Sequence, residues 1–218
     1  MRLRQKPWAD KEFAENPMYI PNPRQLSSRW QGLFGNDNPM HLEIGCGKGR
    51  FIVENALRHP DINFIAMEKF EKIICMALRH AGLAAGCLPN LRLFREDARD
   101  IVEIFSQGEL SRIYINFCDP WRARGKWRKR RLTHRDFLAK YESIMTDDIK
   151  EIHFKTDNVP LFNFSVAELE EAGWRLQNVT YDLHNSGFTE NIMTEYEERF
   201  AAEGLKICRL EAQKLDGR

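Results

Sequence analysis

Four carboxylates, Glu43, Glu68, Asp97 and Asp119, each close or follow a short apolar run. Glu43 also opens a glycine-rich stretch, Glu43-Ile44-Gly45-Cys46-Gly47-Lys48-Gly49. Glycine admits backbone angles that other residues resist and lets a ligand approach the main chain. A helix starting at Gly49 would add free N–H groups at its first turn. Two other glycine loops are excluded. The dinucleotide pattern G-x-G-x-x-G would need glycine where Arg50 stands, and no G-x-x-x-x-G-K-[ST] occurs. Glu43 would repel a pyrophosphate but suits a ligand carrying an ammonium and a sulfonium. The loop therefore reads as a site for an adenosine-containing cofactor, S-adenosylmethionine; the plain alternative is a tight turn.

The other three fall in place behind it. Glu68 lies 19 residues beyond Gly49 and can accept from both ribose hydroxyls. Asp97 can accept from an adenine amino group or cap the helix that follows. Asp119-Pro120-Trp121 forms a rigid corner in which Asp119 can orient a base and Trp121 can stack on one, or simply pack a turn.

Arg122 to Arg135 reads RARGKWRKRRLTHR, with eight Lys or Arg and no Asp or Glu, in a chain of net charge +1. Such a density self-repels unless a polyanion neutralises it. Trp121 and Trp127 interleave aromatics suited to stacking on unpaired bases. Beside the corner at Asp119, the loop reads as a nucleic-acid contact rather than a solvated face.

These residues need an open sheet to bring them together. Apolar runs at Met40–Ile44, Asn63–Met67, Leu91–Phe94, Arg112–Phe117 and Glu151–Lys155 alternate with helical stretches at Gly49–Arg58, Lys69–Ala85, Arg99–Ser106, His134–Met145 and Pro160–Ala172. That alternation predicts an α/β fold, a mostly parallel sheet with helices on both faces. Ligands bind such sheets at the carboxyl ends of the strands. Trp174–Asp182 and Lys206–Glu211 are two further strands, expected as an antiparallel hairpin at the sheet edge. Residues 1–39, rich in proline, read as a partly mobile arm, and residues 40–218 as one domain.

Composition removes other classes. Five scattered cysteines without C-x-x-C fit reduced thiols in a cytoplasm. No H-E-x-x-H or similar spacing supports a metal. No apolar run reaches spanning length, so no membrane is expected.

Taken in order, RLRQKPWAD, EIGCGKG, Glu68, REDAR around Asp97, DPW at 119–121, KRRLT at 129–133, FKTDN at 154–158 and TEYE at 194–197 resemble the bacterial tRNA (guanine-N7)-methyltransferases over nearly the whole chain. The resemblance implies a Rossmann-like class I methyltransferase with a seven-stranded sheet, using S-adenosylmethionine and no metal. It implies cofactor contacts from Glu43, Gly45, Gly47, Gly49, Glu68, Asp97, Ala98 and Asp119, with Asp119 catalytic. It implies substrate contacts from Trp121, Arg124, Lys126, Arg128, Lys129, Arg130, Arg131, Asp157, Thr194, Tyr196 and Glu197. The implied acceptor is a guanine in the variable loop of tRNA, position 46. A monomer or homodimer without obligatory partner would suffice. Asp157, just ahead of Pro160, and Thr194 with Glu197, at capping-box spacing, also have plain capping readings. The segment after Trp121 departs from the family's Pro-Lys-Lys type. Its substrate lysine aligns with Ala123, leaving Arg124 and Lys126 as candidates for that task. Another acceptor, a different RNA or a small molecule, and a non-catalytic RNA-binding module are the competing readings.

Overall fold

The computed structural model describes residues 12–215. Seven strands form one sheet in the order β3-β2-β1-β4-β5-β7-β6. They are β1 (Met40–Ile44), β2 (Asn63–Glu68), β3 (Leu91–Arg95), β4 (Arg112–Asn116), β5 (Ile149–Thr156), β6 (Arg175–Thr180) and β7 (Cys208–Leu215). β1 to β5 are parallel, and β7 runs antiparallel between β5 and β6. The strand order reverses between β1 and β4, the switch point at which a sheet of this type opens a crevice.

The sequence periods explain the layering. β1 and β2 are buried on both faces, so they read as near-continuous apolar runs. Met40, Leu42 and Ile44 face one core with Ile113, Ile115, Ile152 and Phe154. That core is closed by α4 (Ile101–Ile104), α5 (Arg135–Ile144) and α6 (Val159–Glu171). The opposite core holds Phe64 and Ala66 under α2 (Arg50–Arg58) and α3 (Glu71–Ala85). In α3 the buried positions Ile74, Ala77, Leu78 and Ala81 recur at spacings of three and four, one face of a helix.

Three expectations needed adjustment. The last two strands are antiparallel at the edge, but the connection between them carries α7 (Glu195–Ala202) instead of a tight turn, and β7 sits inside β6. β5 starts earlier and β7 ends later than read, because polar Lys150, Gln213 and Lys214 break the apolar pattern of the added residues. The expected arm is part of the body from Met18 onward. Met18 is fully buried, and Ile20 N donates to Leu93 O at 2.9 Å along β3. Trp30, in α1 (Trp30–Phe34), is also fully buried; its ring stacks on Phe105 and its Nε1 donates to Ile104 O at 2.9 Å. The mobility expected of the first residues lies outside the described residues.

Candidate active site and basic loop

The glycine loop joins β1 to α2 at the switch point. Gly45, Gly47 and Gly49 all have left-handed φ, at 78°, 58° and 87°. They serve different ends. A Cβ on Gly49 would stand 2.9 Å from the Ala77 Cβ, so this glycine lets α2 pack on α3. A Cβ on Gly45 or Gly47 would meet nothing within 4 Å, so these two keep an open cradle in front of the strand ends. Gly45 N and Cys46 N both donate to Met67 O, which pins the loop against β2.

Glu43 lies under this cradle, 1% exposed. Its Oε1 accepts from Asn116 Nδ2 at 2.8 Å, and its Oε2 is buried with no hydrogen-bond partner among the described residues. Burial pushes its carboxyl up to about 7, against the hydrogen bond from Asn116 and the charge of Lys155. A buried acceptor with an open lone pair is costly unless something donates to it; a cationic amine fits. Glu68, also buried, accepts from Gly47 N at 3.3 Å and Phe70 N at 3.0 Å. A carboxylate has about four lone-pair sites, so room remains for two hydroxyl donors. This set of acceptors fits S-adenosylmethionine at both its amino-acid and ribose ends.

Asp97 is more occupied than the sequence reading assumed. Its Oδ1 accepts from Arg99 N at 3.0 Å, capping the turn at Ala98–Asp100. Its Oδ2 meets Lys69 Nζ at 2.6 Å and Arg99 Nη2 at 2.9 Å. Burial pushes this carboxyl up, but the hydrogen bonds from Arg99 and Lys69 outweigh it and hold it well below the usual range. Ala98 is buried directly behind it.

At the ends of β4 and β5 the second half of the site assembles. Phe117 takes φ 50°, an uncommon value for a bulky residue, and turns the chain out of β4 into Cys118 and Asp119. Asp119 is exposed, and its carboxylate makes no hydrogen bond or ion pair among the described residues. Asp157 follows β5 half-buried, and its carboxylate likewise makes no hydrogen bond or ion pair among the described residues. Asn158, not Asp157, caps α6, its Oδ1 accepting from Leu161 N at 2.8 Å. Thr194 caps α7, its Oγ1 accepting from Glu197 N at 3.0 Å. Glu197 does not close a capping box. Its fully buried carboxylate meets Lys155 Nζ at 2.7 Å and lies 3.4 Å from His184 Nε2. Lys155 also donates to Ile192 O at 2.9 Å and Asn191 Oδ1 at 3.1 Å. α7 is further tied to the start of α2 by Arg50 and Glu198. Tyr196 points outward, 59% exposed, with Phe200 and Phe117 behind it. Sequence reasoning missed Asn116 and Lys155, although the period-two spacing of Asn116 from Tyr114 and of Lys155 from His153 puts them on one strand face.

The basic loop divides into two sets. Its middle is a short 3-10 turn, Gly125–Arg130, with no buried residue. Arg128 and Arg135 both pair with Glu168 of α6, which is 1% exposed. Burial pushes the Glu168 carboxyl up, but the hydrogen bonds from Arg135 and Arg128 prevail and hold it at about 2. Arg131 is buried, donates from Nε to Trp121 O at 2.7 Å and lies 4.4 Å over the Phe164 ring. Arg128 and Arg131 therefore anchor the loop. Arg122, Arg124, Lys126, Lys129 and Arg130 are exposed. Lys129 lies 3.6 Å from exposed Asp136, and Arg130 stacks on Trp121. No cluster of His, Cys, Asp and Glu among the described residues could hold a metal. No described helix is long and apolar enough to cross a membrane.

Residues 37–210 match the family model described as "Putative methyltransferase". The chain is 49% identical to the tRNA (guanine-N(7)-)-methyltransferase of Geobacillus kaustophilus, over 97% of this chain and 96% of that one. It is 46% identical to the enzyme of the same name from Lysinibacillus sphaericus, over 98% of each. The chain belongs to the tRNA (guanine-N7)-methyltransferase family. Its fold has solved counterparts. An antibiotic-related methyltransferase superposes with a TM-score of 0.62 at 19% identity, covering 86% of this chain and 92% of that one. A variant of the 16S rRNA (adenine(1408)-N(1))-methyltransferase of Catenulisporales acidiphilia, solved with cosubstrate SAM, superposes at 0.59 and 15% identity, covering 88% and 92%.

Proposed function

We propose that this methyltransferase acts on N7 of a guanine in tRNA, position 46 of the variable loop, with S-adenosylmethionine as donor. The observation that carries the reading is the buried, unpartnered Oε2 of Glu43 beneath an open glycine cradle, in a chain nearly half identical to tRNA (guanine-N(7)-)-methyltransferases. When bound, S-adenosylmethionine supplies an electrophilic methyl group to a guanine N7 lone pair that carries no proton to remove. The chain's own residues then have two tasks, positioning and charge compensation. Glu43 and Glu68 orient the donor, and Asp97 with Ala98 borders its adenine. Asp119 and Asp157 face the acceptor, where carboxylates suit both the N1–H and amino edge of guanine and the cation that methylation creates. N7 lies on the major-groove edge, which side chains reach poorly in an RNA helix, so the base must be turned out of its tertiary pairing. The enzyme acts in the cytoplasm as a monomer or homodimer without an obligatory protein partner.

Transfer of labelled methyl to bulk tRNA followed by nucleoside analysis tests this. Label in 7-methylguanosine is expected; label in another nucleoside, in a small molecule only, or nowhere overturns it.

The pH response of cofactor binding is a second test. A carboxyl held above its unfolded value favours folding below the unfolded pKa and withdraws that support as pH rises through the folded one. In Glu43 this window runs upward to about 7. A bound ammonium needs the ionised form, so cofactor affinity should rise about tenfold from pH 6 to pH 8. Isothermal titration of Glu43→Gln should give weaker binding and lose this component; an unchanged profile rejects the pairing.

The division of the basic loop gives a third. Neutralising Arg122, Arg124 and Lys126 should weaken tRNA binding and lower the slope of log Kd against log salt by about 2–3. Arg131→Ala should lower melting temperature with little change in slope. Equal slopes for the triple variant and wild type would reject these side chains as phosphate contacts.

A further inference from the structure

Trp127 differs from the other described tryptophans. Trp30 and Trp174 are buried in the core, whereas Trp127 is 37% exposed in a turn with no buried residue. Its ring lies 5.5 Å from that of Trp121 and 10° from parallel. Trp121 is the fixed member of the pair, because its carbonyl is held by Arg131 and its amide donates to Asp119 O. The Arg130 guanidinium lies 3.6 Å from the Trp121 centroid and 5.2 Å from that of Trp127, and Lys126 Nζ lies 5.6 Å from the Trp127 ring.

An indole left facing water forgoes the free energy its burial would release. Here it is held rigid by stacking, in a segment anchored through Glu168, and is ringed by exposed cations. A half-exposed indole pair with cations over its rings matches one ligand, an unpaired nucleobase whose phosphates run beside it. We infer that Trp121 and Trp127, with Arg130, form a platform on which the RNA substrate stacks an unpaired base. The inference rests on the RNA reading above.

Stacking and phosphate contacts separate by salt. Base–aromatic stacking contributes to affinity without releasing counterions. Trp127→Ala should therefore raise the Kd for unmodified tRNA about tenfold at every salt concentration, with the salt slope unchanged. Trp127→Phe should recover most of the loss. In the wild type, tRNA should quench tryptophan emission, and Trp127→Phe should remove the share that comes from Trp127. An unchanged Kd in Trp127→Ala, a lowered salt slope, or quenching undiminished in Trp127→Phe would overturn the platform. Melting temperature and cofactor binding of each variant show whether the fold is intact, and the wild-type quenching comparison stands even if Trp127→Ala folds poorly. A wild type that methylates no tRNA fails the substrate reading instead, and the methyl-transfer assay reads that separately.

Discussion

Replacing Asp119 by alanine is expected to lower single-turnover methyl transfer by about 10²-fold, with tRNA and cofactor affinities changed by less than about threefold. The side chain is exposed and without partners among the described residues, so its loss leaves no buried group unsatisfied and costs little stability. Its value lies in the charge that develops on the guanine ring. A unit charge about 4 Å from a carboxylate gains ~4 kcal/mol at an effective dielectric of 20, which sets a ceiling near 10³-fold. Partial development of that charge in the transition state, together with Asp157 nearby in sequence to the next strand end, brings the expectation down. Asp119→Asn should recover orientation but not charge and fall between wild type and alanine. Lost tRNA binding with intact single-turnover chemistry would sink the assignment.

Lys155→Met is expected to destabilise the protein by about 3–5 kcal/mol, because it strips the buried carboxylate of Glu197 of its ammonium partner and leaves it only Asn191 and His184. Lys155 is 4% exposed and Glu197 fully buried. Burial pulls the Lys155 ammonium down, and the charge and hydrogen bond of Glu197 push it back. For a chain of this length each kcal/mol shifts melting by about 2–4 °C, so a drop on the order of 10 °C should be seen. Lys155→Met with Glu197→Gln should be more stable than Lys155→Met alone, giving a coupling energy above about 1 kcal/mol in a double-mutant cycle. Additive effects would mean that the pair does not hold β5 to α7. Because α7 and its cap carry Tyr196 and Thr194, substrate affinity should fall along with stability.

The legible parts of this protein are local. The places of Gly45, Gly47, Glu43 and Glu68 at the strand ends could be read because a strand, a glycine turn and a helix follow each other directly. The illegible parts depend on partners far along the chain. Lys155 and Glu197 are 42 residues apart, and Arg128 and Glu168 are 40 apart. Glu168 sits in AELEEAG, which reads as the solvated side of a helix; only the fold shows it sealed under two arginines. A run of like charge looks uniform in sequence, so Arg128 and Arg131 could not be told from Arg122 and Arg124. Asp97 misled in the opposite direction: its capping role was foreseen, but not the two cations, Lys69 and Arg99, that occupy its outer oxygen.

The clamp of Arg128 and Arg135 on Glu168 has a kinetic consequence. A cationic loop that is already ordered need not be frozen at the moment of encounter, so the entropy of ordering it is not charged to association. Capture of RNA by this loop should therefore run as a single electrostatically steered step, its rate constant falling steeply with ionic strength and showing no lag from loop rearrangement.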